Sequence, residues 1–233
     1  MPTFEEVYAQ FADHYDRLVN REDYQQNILP ALHAISPLAG LDVIEMGAGT
    51  GRLTRLLAPV VRRIDAFDRS AHMLAVARAH LEASGLSNWS LEVADNQALP
   101  VESASADLSI AGWSFGHATE WTPHEWPRAI GAAVREMLRV IRSGGTAIIL
   151  ETMGTGSETP APPSAVLAAY YRLLETEFGF TGSAIRTDYR FESPEEGAGL
   201  VRFFFNDEAL AARILSERMQ ILPECTGIWW RRV

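Results

Sequence analysis

The residues of this chain best suited to holding a ligand are four acids and one glycine-rich turn. The turn is Glu45-Met46-Gly47-Ala48-Gly49-Thr50-Gly51, preceded by Val43-Ile44 and followed by Leu53, Leu56, Leu57 and Val60 at helical spacing. This reads as a strand, a tight turn and a helix start. Glycines let the backbone pass close to a ligand, and a helix start offers unpaired N–H groups. Asp68, Asp95 and Glu151 each close a further apolar run, as Glu45 closes the first. A carboxylate accepts hydrogen bonds on both oxygens, so such acids suit the hydroxyl and amino groups of a ligand. Trp113-Ser114-Phe115-Gly116-His117 adds aromatic rings and an imidazole that could serve as a general base.

Composition narrows the chemistry. With 233 residues and 47% hydrophobic content, the chain can bury the core of one large domain. The formal charge of −10 argues against nucleic-acid binding through a basic face. All 20 basic residues are arginine. A Walker lysine, a Schiff-base lysine and a lysine base are therefore excluded. Cys225 is alone, so there is no intrachain disulfide. Met1–Glu6 shows no signal pattern, and no apolar run approaches membrane-spanning length. The expectation is a soluble, cytoplasmic protein that meets neither nucleic acid nor membrane; its oligomeric state is not legible.

The elements that must position these residues alternate in type. Apolar periodicity predicts helices over 4–19 and 22–35, and strands over 41–46, 64–68, 89–94, 107–111 and 146–151. Helices fill the gaps at 51–60, at 71–84 with Ser70 as cap, and from about Pro127 to Ile141. Thr122-Pro123-His124-Glu125 has the form of a capping box, and Ser143-Gly144-Gly145 that of a turn. Beyond Glu151, the Gly154–Pro163 stretch reads as flexible. A helix over 164–178, a half-exposed strand over 185–191, and helices started by Ser193 and Asn206 follow, before a last strand through Thr226–Trp230. The order is that of an α/β fold, a Rossmann-like doubly wound sheet whose ligands lie at the strands' carboxyl ends, where all four acids fall.

Two ligands suit a glycine turn after the first strand, a dinucleotide or S-adenosylmethionine. The dinucleotide pattern needs a third glycine at position 52, where this chain has arginine. The Glu45–Gly51 turn, Asp68, Ala94-Asp95-Asn96-Gln97-Ala98-Leu99-Pro100, and Glu136-Met137-Leu138-Arg139-Val140-Ile141-Arg142-Ser143-Gly144-Gly145 occur in that order. Together they resemble the class I S-adenosylmethionine-dependent methyltransferases of the small-molecule type.

The resemblance implies a seven-stranded sheet whose last strand runs antiparallel beside strand five, with a helical cap on the substrate side. Within the single domain, 1–36 would cover the cofactor, 37–151 bind it, and 152–222 form the substrate-side insert. It also implies cofactor contacts at Tyr15, Glu45, Gly47, Ala48, Gly49, Gly51, Asp68, Arg69, Met73, Asp95, Asn96 and Gly112. Asp68 would accept the ribose hydroxyls, Asp95 the adenine amino group, and Tyr15 would touch the methionine carboxylate. Trp113, Phe115, His117 and Glu151 would form the pocket of a small-molecule acceptor. His117 is the candidate base, with His14 and Glu151 as alternatives. Trp121 and Trp126 read as core, and Arg186 and Arg190 as the solvated side of a strand. Two other functions stay open, a protein that binds the cofactor without transferring methyl and a nicotinamide-dependent oxidoreductase.

Overall fold

Alternation of apolar side chains along the central strands buries both faces of one sheet, and that decides the architecture. Along the first strand Val43 packs with Leu32, Leu53, Leu57 and Leu108 on one face. Ile44 and Met46 pack with Val134, Met137 and Tyr170 on the other. The computed structural model describes residues 11–233. The helix expected from residue 4 is seen as α1, Ala12–Val19; its earlier part lies outside the described residues. α2 covers Ile28–Ile35 only, not 22–35. The chain turns first at Asp23 and Gln26, both with positive φ, and the Asp23 carboxylate accepts the N–H groups of Asn27 and Ile28.

The core then alternates: β1 Asp42–Met46, α3 Arg52–Leu57, β2 Arg63–Asp68, α4 Ala71–Ala83, β3 Trp89–Val93 and β4 Ala106–Gly112. Short helical turns at Phe115–His117 and α5 (Ala118–Trp121) precede α6 (Trp126–Val140) and β5 (Ile141–Thr155). α7 (Ala165–Thr176), β6 (Thr181–Arg186) and β7 (Tyr189–Arg190) follow. α8 (Pro194–Phe205), α9 (Glu208–Ser216), β8 (Ile221–Leu222) and β9 (Glu224–Arg232) complete the chain. The sheet order is β3-β2-β1-β4-β5-β9-β6. Its first five strands are parallel, and β9 runs antiparallel to both β5 and β6. The seven-stranded mixed sheet with an antiparallel last strand is thus observed. A third cluster of Leu18, Tyr189, Phe191, Val201, Ala211 and Ile214 joins α1 to α8 and α9.

Four local expectations are corrected. Ser143-Gly144-Gly145 is a bulge inside β5, where pairing with β4 slips between Ala106 and Leu108 and Gly144 takes φ +86°. The half-exposed strand at 185–191 is divided. β6 ends at Arg186, and Tyr189-Arg190 pair instead with Ile221-Leu222. Asn206 ends α8 in the left-handed conformation, and Asp207 caps α9 by accepting from Leu210 N. Thr122 caps nothing: its hydroxyl donates to Ala118 O, closing α5, and α6 begins at Trp126 without a side-chain cap. His124 therefore precedes that helix. By contrast, Ser70, Ser164 and Ser193 each accept the N–H three residues on. Among the described residues, no helix is long and apolar enough to cross a membrane.

Candidate active site

The carboxyl ends of β1, β2 and β4, the segment after β3, and α1 surround a cavity of 490 Å³, a size usual for a small-molecule site. The glycine loop forms its floor. Gly47, Gly49 and Gly51 have φ of +76°, +54° and +80°, values that glycine adopts without strain. The N–H groups of Gly47 and Ala48 donate to Phe67 O, that of Gly49 to Asp68 Oδ2, and that of Gly51 to Ala48 O. These donors, expected to be available, are engaged within the protein. The loop therefore offers a ligand its close backbone and its carbonyl oxygens. Gly51 does not line the cavity: a Cβ there would stand 3.0 Å from Ala77 Cβ, so its place is the packing of α3 on α4.

Asp68, at the end of β2, accepts Gly49 N on one oxygen and Ser70 N on the other, both at 2.8 Å. Each oxygen keeps a second acceptor position. Burial raises its pKa above the usual carboxylate value. Glu45 is 2% exposed and accepts Thr54 Oγ1 at 2.6 Å. Burial, with the Asp68 charge adding, pushes it up to about 8, so at neutral pH it is largely protonated. Asp95 accepts Gln97 N, and Asn96 Nδ2 donates to Ser114 Oγ at 2.9 Å. Asn96 Oδ1 and Thr50 Oγ1, on two residues that line the cavity, are buried without a hydrogen-bond partner.

Tyr15 of α1 covers the floor, its hydroxyl 4.0 Å from where a Cβ on Gly49 would be, and burial raises its pKa. Ala48, Arg69, Met73 and Gly112 complete the expected cofactor set around the cavity. A Cβ on Gly112 would stand 2.6 Å from Leu53 Cδ1, so the bare glycine lets α3 lie against β4.

Of the residues expected to form the acceptor pocket, Trp113, Phe115 and His117 line the cavity. Trp113 has φ +50°, strained for so large a residue, and the Arg52 guanidinium lies 4.0 Å over its ring. His117 stacks on Trp121 at 5.0 Å, and burial lowers its pKa to about 4. Trp121 is a wall residue, not core, and the Arg69 guanidinium lies 4.6 Å from its ring centre. Trp126 packs against the core as expected. Glu151 does not line the cavity. It lies beneath the loop, where Oε1 accepts Gly116 N at 2.9 Å and the Tyr170 hydroxyl at 3.2 Å. His14 is exposed against Phe203. Arg186 pairs with Asp188, and Arg190 lies over Tyr24. Arg52 and Ser114, which the sequence reading did not single out, also line the cavity. Among the described residues, no group of His, Cys, Asp and Glu could hold a metal ion.

Residues 43–145 match the family model described as "Methyltransferase domain". The chain is 31% identical over 116 residues to the ubiquinone/menaquinone biosynthesis C-methyltransferase UbiE of Rubrivivax gelatinosus, covering 50% of this chain and 41% of that one. It is 30% identical over 153 residues to the malonyl-[acyl-carrier protein] O-methyltransferase of Pectobacterium atrosepticum, covering 65% and 53%. The chain thus spans about half the length of these relatives. Its fold is similar to that of an S-adenosylmethionine-dependent methyltransferase from Aquifex aeolicus, with TM-score 0.56 at 15% identity over 89% of this chain and 90% of that one. Residues 43–145 thus match a methyltransferase domain, and the glycine loop, the acids after β2 and β3 and the strand order are similar to those of the class I S-adenosylmethionine-dependent methyltransferases.

Proposed function

We propose that the chain transfers a methyl group from S-adenosylmethionine to a small-molecule acceptor. Residues 37–151 hold the cofactor, 1–36 cover it, and 152–222 form the acceptor side. The observation that carries this reading is the convergence of Asp68, Asp95 and the Gly47–Gly49 backbone on one cavity. The cofactor, when bound, supplies a sulfonium-activated methyl carbon. Asp68 has one free acceptor position on each oxygen for two ribose hydroxyls. Asp95 keeps an oxygen for the adenine amino group, and Asn96 N–H faces a ring nitrogen. Tyr15, over Gly49, meets the methionine carboxylate.

Most of the rate gain then comes from holding acceptor and methyl in line, since fixed geometry alone is worth up to about 7–11 kcal/mol. His117 is neutral above about pH 4 and can take a proton from the acceptor. Its low pKa makes it a weak base, so positioning dominates. One relative's name specifies carbon and the other's oxygen as the methylated atom. Similarity alone therefore does not select the acceptor atom.

The test is calorimetric titration with S-adenosylmethionine of the wild type and of Asp68→Ala. Binding that weakens at least tenfold in the variant supports the reading. A wild type that ignores S-adenosylmethionine and binds a nicotinamide dinucleotide overturns it. A wild type that binds but forms no S-adenosylhomocysteine with any acceptor is a binding protein without transferase activity.

A further inference from the structure

Glu151 is buried and does not line the cavity, yet its contacts converge on the loop that forms one wall of it. Its Oε1 accepts Gly116 N at 2.9 Å and the Tyr170 hydroxyl at 3.2 Å. The Phe115 N–H bonds to the same carboxyl. Gly116 has no side chain to hold loop and acid apart. A Cβ there would stand 2.9 Å from Glu151 Oε2, and its three nearest heavy atoms would all belong to Glu151. The contact is thus built from both sides, by an acid and by a glycine that admits it.

The gripped loop begins at Trp113, whose N–H donates to Leu150 O at 2.7 Å. Two successive residues of β5, Leu150 and Glu151, therefore hold its two ends. The helical turn Phe115–His117 follows, and Thr119 Oγ1 donates back to Gly116 O at 2.7 Å. The His117 ring is hydrogen-bonded to the Trp113 backbone in the sense that favours the protonated ring. The Trp113 N–H is already engaged, so the ring N–H donates to the Trp113 carbonyl. A neutral imidazole has one N–H and one lone pair, so a ring held in this way is held in one tautomer. The Trp113 side chain is fixed as well. Arg52 lies over it, held by Glu22 Oε2 at 2.8 Å and within electrostatic reach of Glu224.

Leucine would fill the space of Glu151 without a buried acid's cost, which shows in a pKa pushed up to about 7 by burial. What the acid adds is acceptor oxygens for two loop N–H groups and for Tyr170 of α7. We propose that Glu151 is a positioning residue for methyl transfer: it holds the Phe115–Gly116 backbone so that the Trp113 carbonyl fixes the His117 ring, in one tautomer, at the cavity wall. This rests on the methyltransferase reading. Glu151 then acts through the loop and is neither a base nor a pocket wall. Tyr170 ties the same carboxyl to the segment after β5, so that segment and the loop share one anchor.

The experiment follows the His117 ring in the whole protein by long-range proton–nitrogen NMR of the histidine side chains. His117→Ala assigns its signal among the six histidines. Glu151→Leu keeps the volume and removes the acceptors; Glu151→Gln keeps an acceptor oxygen and removes the charge. The wild type should show one tautomer, neutral down to about pH 4, and Glu151→Gln should retain it. In Glu151→Leu the ring should exchange between both tautomers and titrate closer to 6.5. Gly116→Ala presses on Glu151 alone and should reach the same state in a chain that keeps the acid, so the test survives a Glu151→Leu that fails to fold. The Arg69 guanidinium and the Trp113 backbone, which act on the ring, are present in every one of these variants. A ring unchanged in Glu151→Leu and Gly116→Ala, with only a lower melting temperature, overturns the proposal and leaves the acid a structural role. A ring altered as much in Glu151→Gln as in Glu151→Leu overturns it too, since the charge and not the acceptor would then be decisive. S-adenosylmethionine binding by the wild type is measured separately: its absence removes the methyltransferase reading, whatever the ring spectra show.

Discussion

The Ser114 hydroxyl occupies the space that a Cβ on Gly47 would need. Loop after β4 and glycine loop are thereby locked together, with Asn96 Nδ2 tying the segment after β3 to the same hydroxyl. Gly47→Ala faces this clash as well as a φ of +76°. It should weaken S-adenosylmethionine binding at least tenfold and cost a few kcal/mol of stability, within the range known for overpacking and backbone strain. Gly47→Ala/Ser114→Gly removes the clash and leaves the strained φ. The double variant should therefore recover part of the loss, read as a coupling in a double-mutant cycle of urea unfolding and calorimetry. Strict additivity of the two changes would show that the contact is immaterial.

Glu45 and Glu151 make stability depend on pH in an unusual direction. Their folded pKa values, about 8 and about 7, lie above the ordinary 4.5 because both are buried. Between pH 4.5 and those values the folded protein holds protons that the unfolded chain has released. Stability therefore falls as pH rises through this window, by at most about 1.4 kcal/mol per pH unit for each group. Glu45→Gln keeps a neutral side chain at all pH values. It should flatten the decline between pH 4.5 and 8, and Glu151→Gln that between 4.5 and 7. Urea unfolding at pH 5, 6.5 and 8 measures this, and an unchanged slope in both variants would refute it.

If His117 receives a proton during turnover, the acidic limb of kcat/KM belongs near pH 4, not near 6.5, since the folded pKa is depressed. Above that limb the profile should stay flat to neutral pH. His117→Ala also removes the ring stacked on Trp121. A drop in kcat of tenfold or less with an unshifted profile would mean that the ring acts through packing. Loss of the acidic limb would mark it as the base.

Glu136 ties α6 to the segment after β3: its Oε1 accepts Leu99 N at 2.7 Å, while Arg139 clamps both oxygens. Glu136→Ala leaves Leu99 N–H without its acceptor, a change that typically costs about 1–3 kcal/mol. The expected result is a lower melting temperature and a several-fold weaker cofactor, with kcat at saturation unchanged. A selective fall in kcat would place Glu136 in the chemistry instead.

The parts legible in the sequence are those fixed by local rules. A glycine alternation permits one kind of turn, serine before a helix caps it, and an acid after an apolar run falls at the strand end. Glu136 and Arg139 stood within a recognisable motif, although their grip on Leu99 N–H is visible only in three dimensions. The expected cap at Thr122 failed because α5, one turn long, ends there and uses the same hydroxyl. A one-turn helix has too little periodicity to be read. Arg52 was read only as a missing glycine. Its partners Glu22 and Trp113 lie 30 and 61 positions away and Glu224 farther still, so no local pattern carries them. The positive φ of Trp113 is likewise imposed by its surroundings. Glu151 was expected at a strand end, but β5 runs on to Thr155, and its turn towards Gly116 N–H depends on a loop contributed by another strand.

The insertion of β9 between β5 and β6 bears on how the molecule is made. β6 emerges during synthesis about forty residues before the strand it must pair with. Until β9 arrives, the open edge of β5 and both edges of β6 present unsatisfied backbone groups. The first five strands can assemble in the order of their synthesis; the last two cannot. Nascent chains halted before residue 224 should consequently be prone to edge-to-edge association. Release of β9 would then be the step that joins β6 to β5 and completes the seven-stranded sheet.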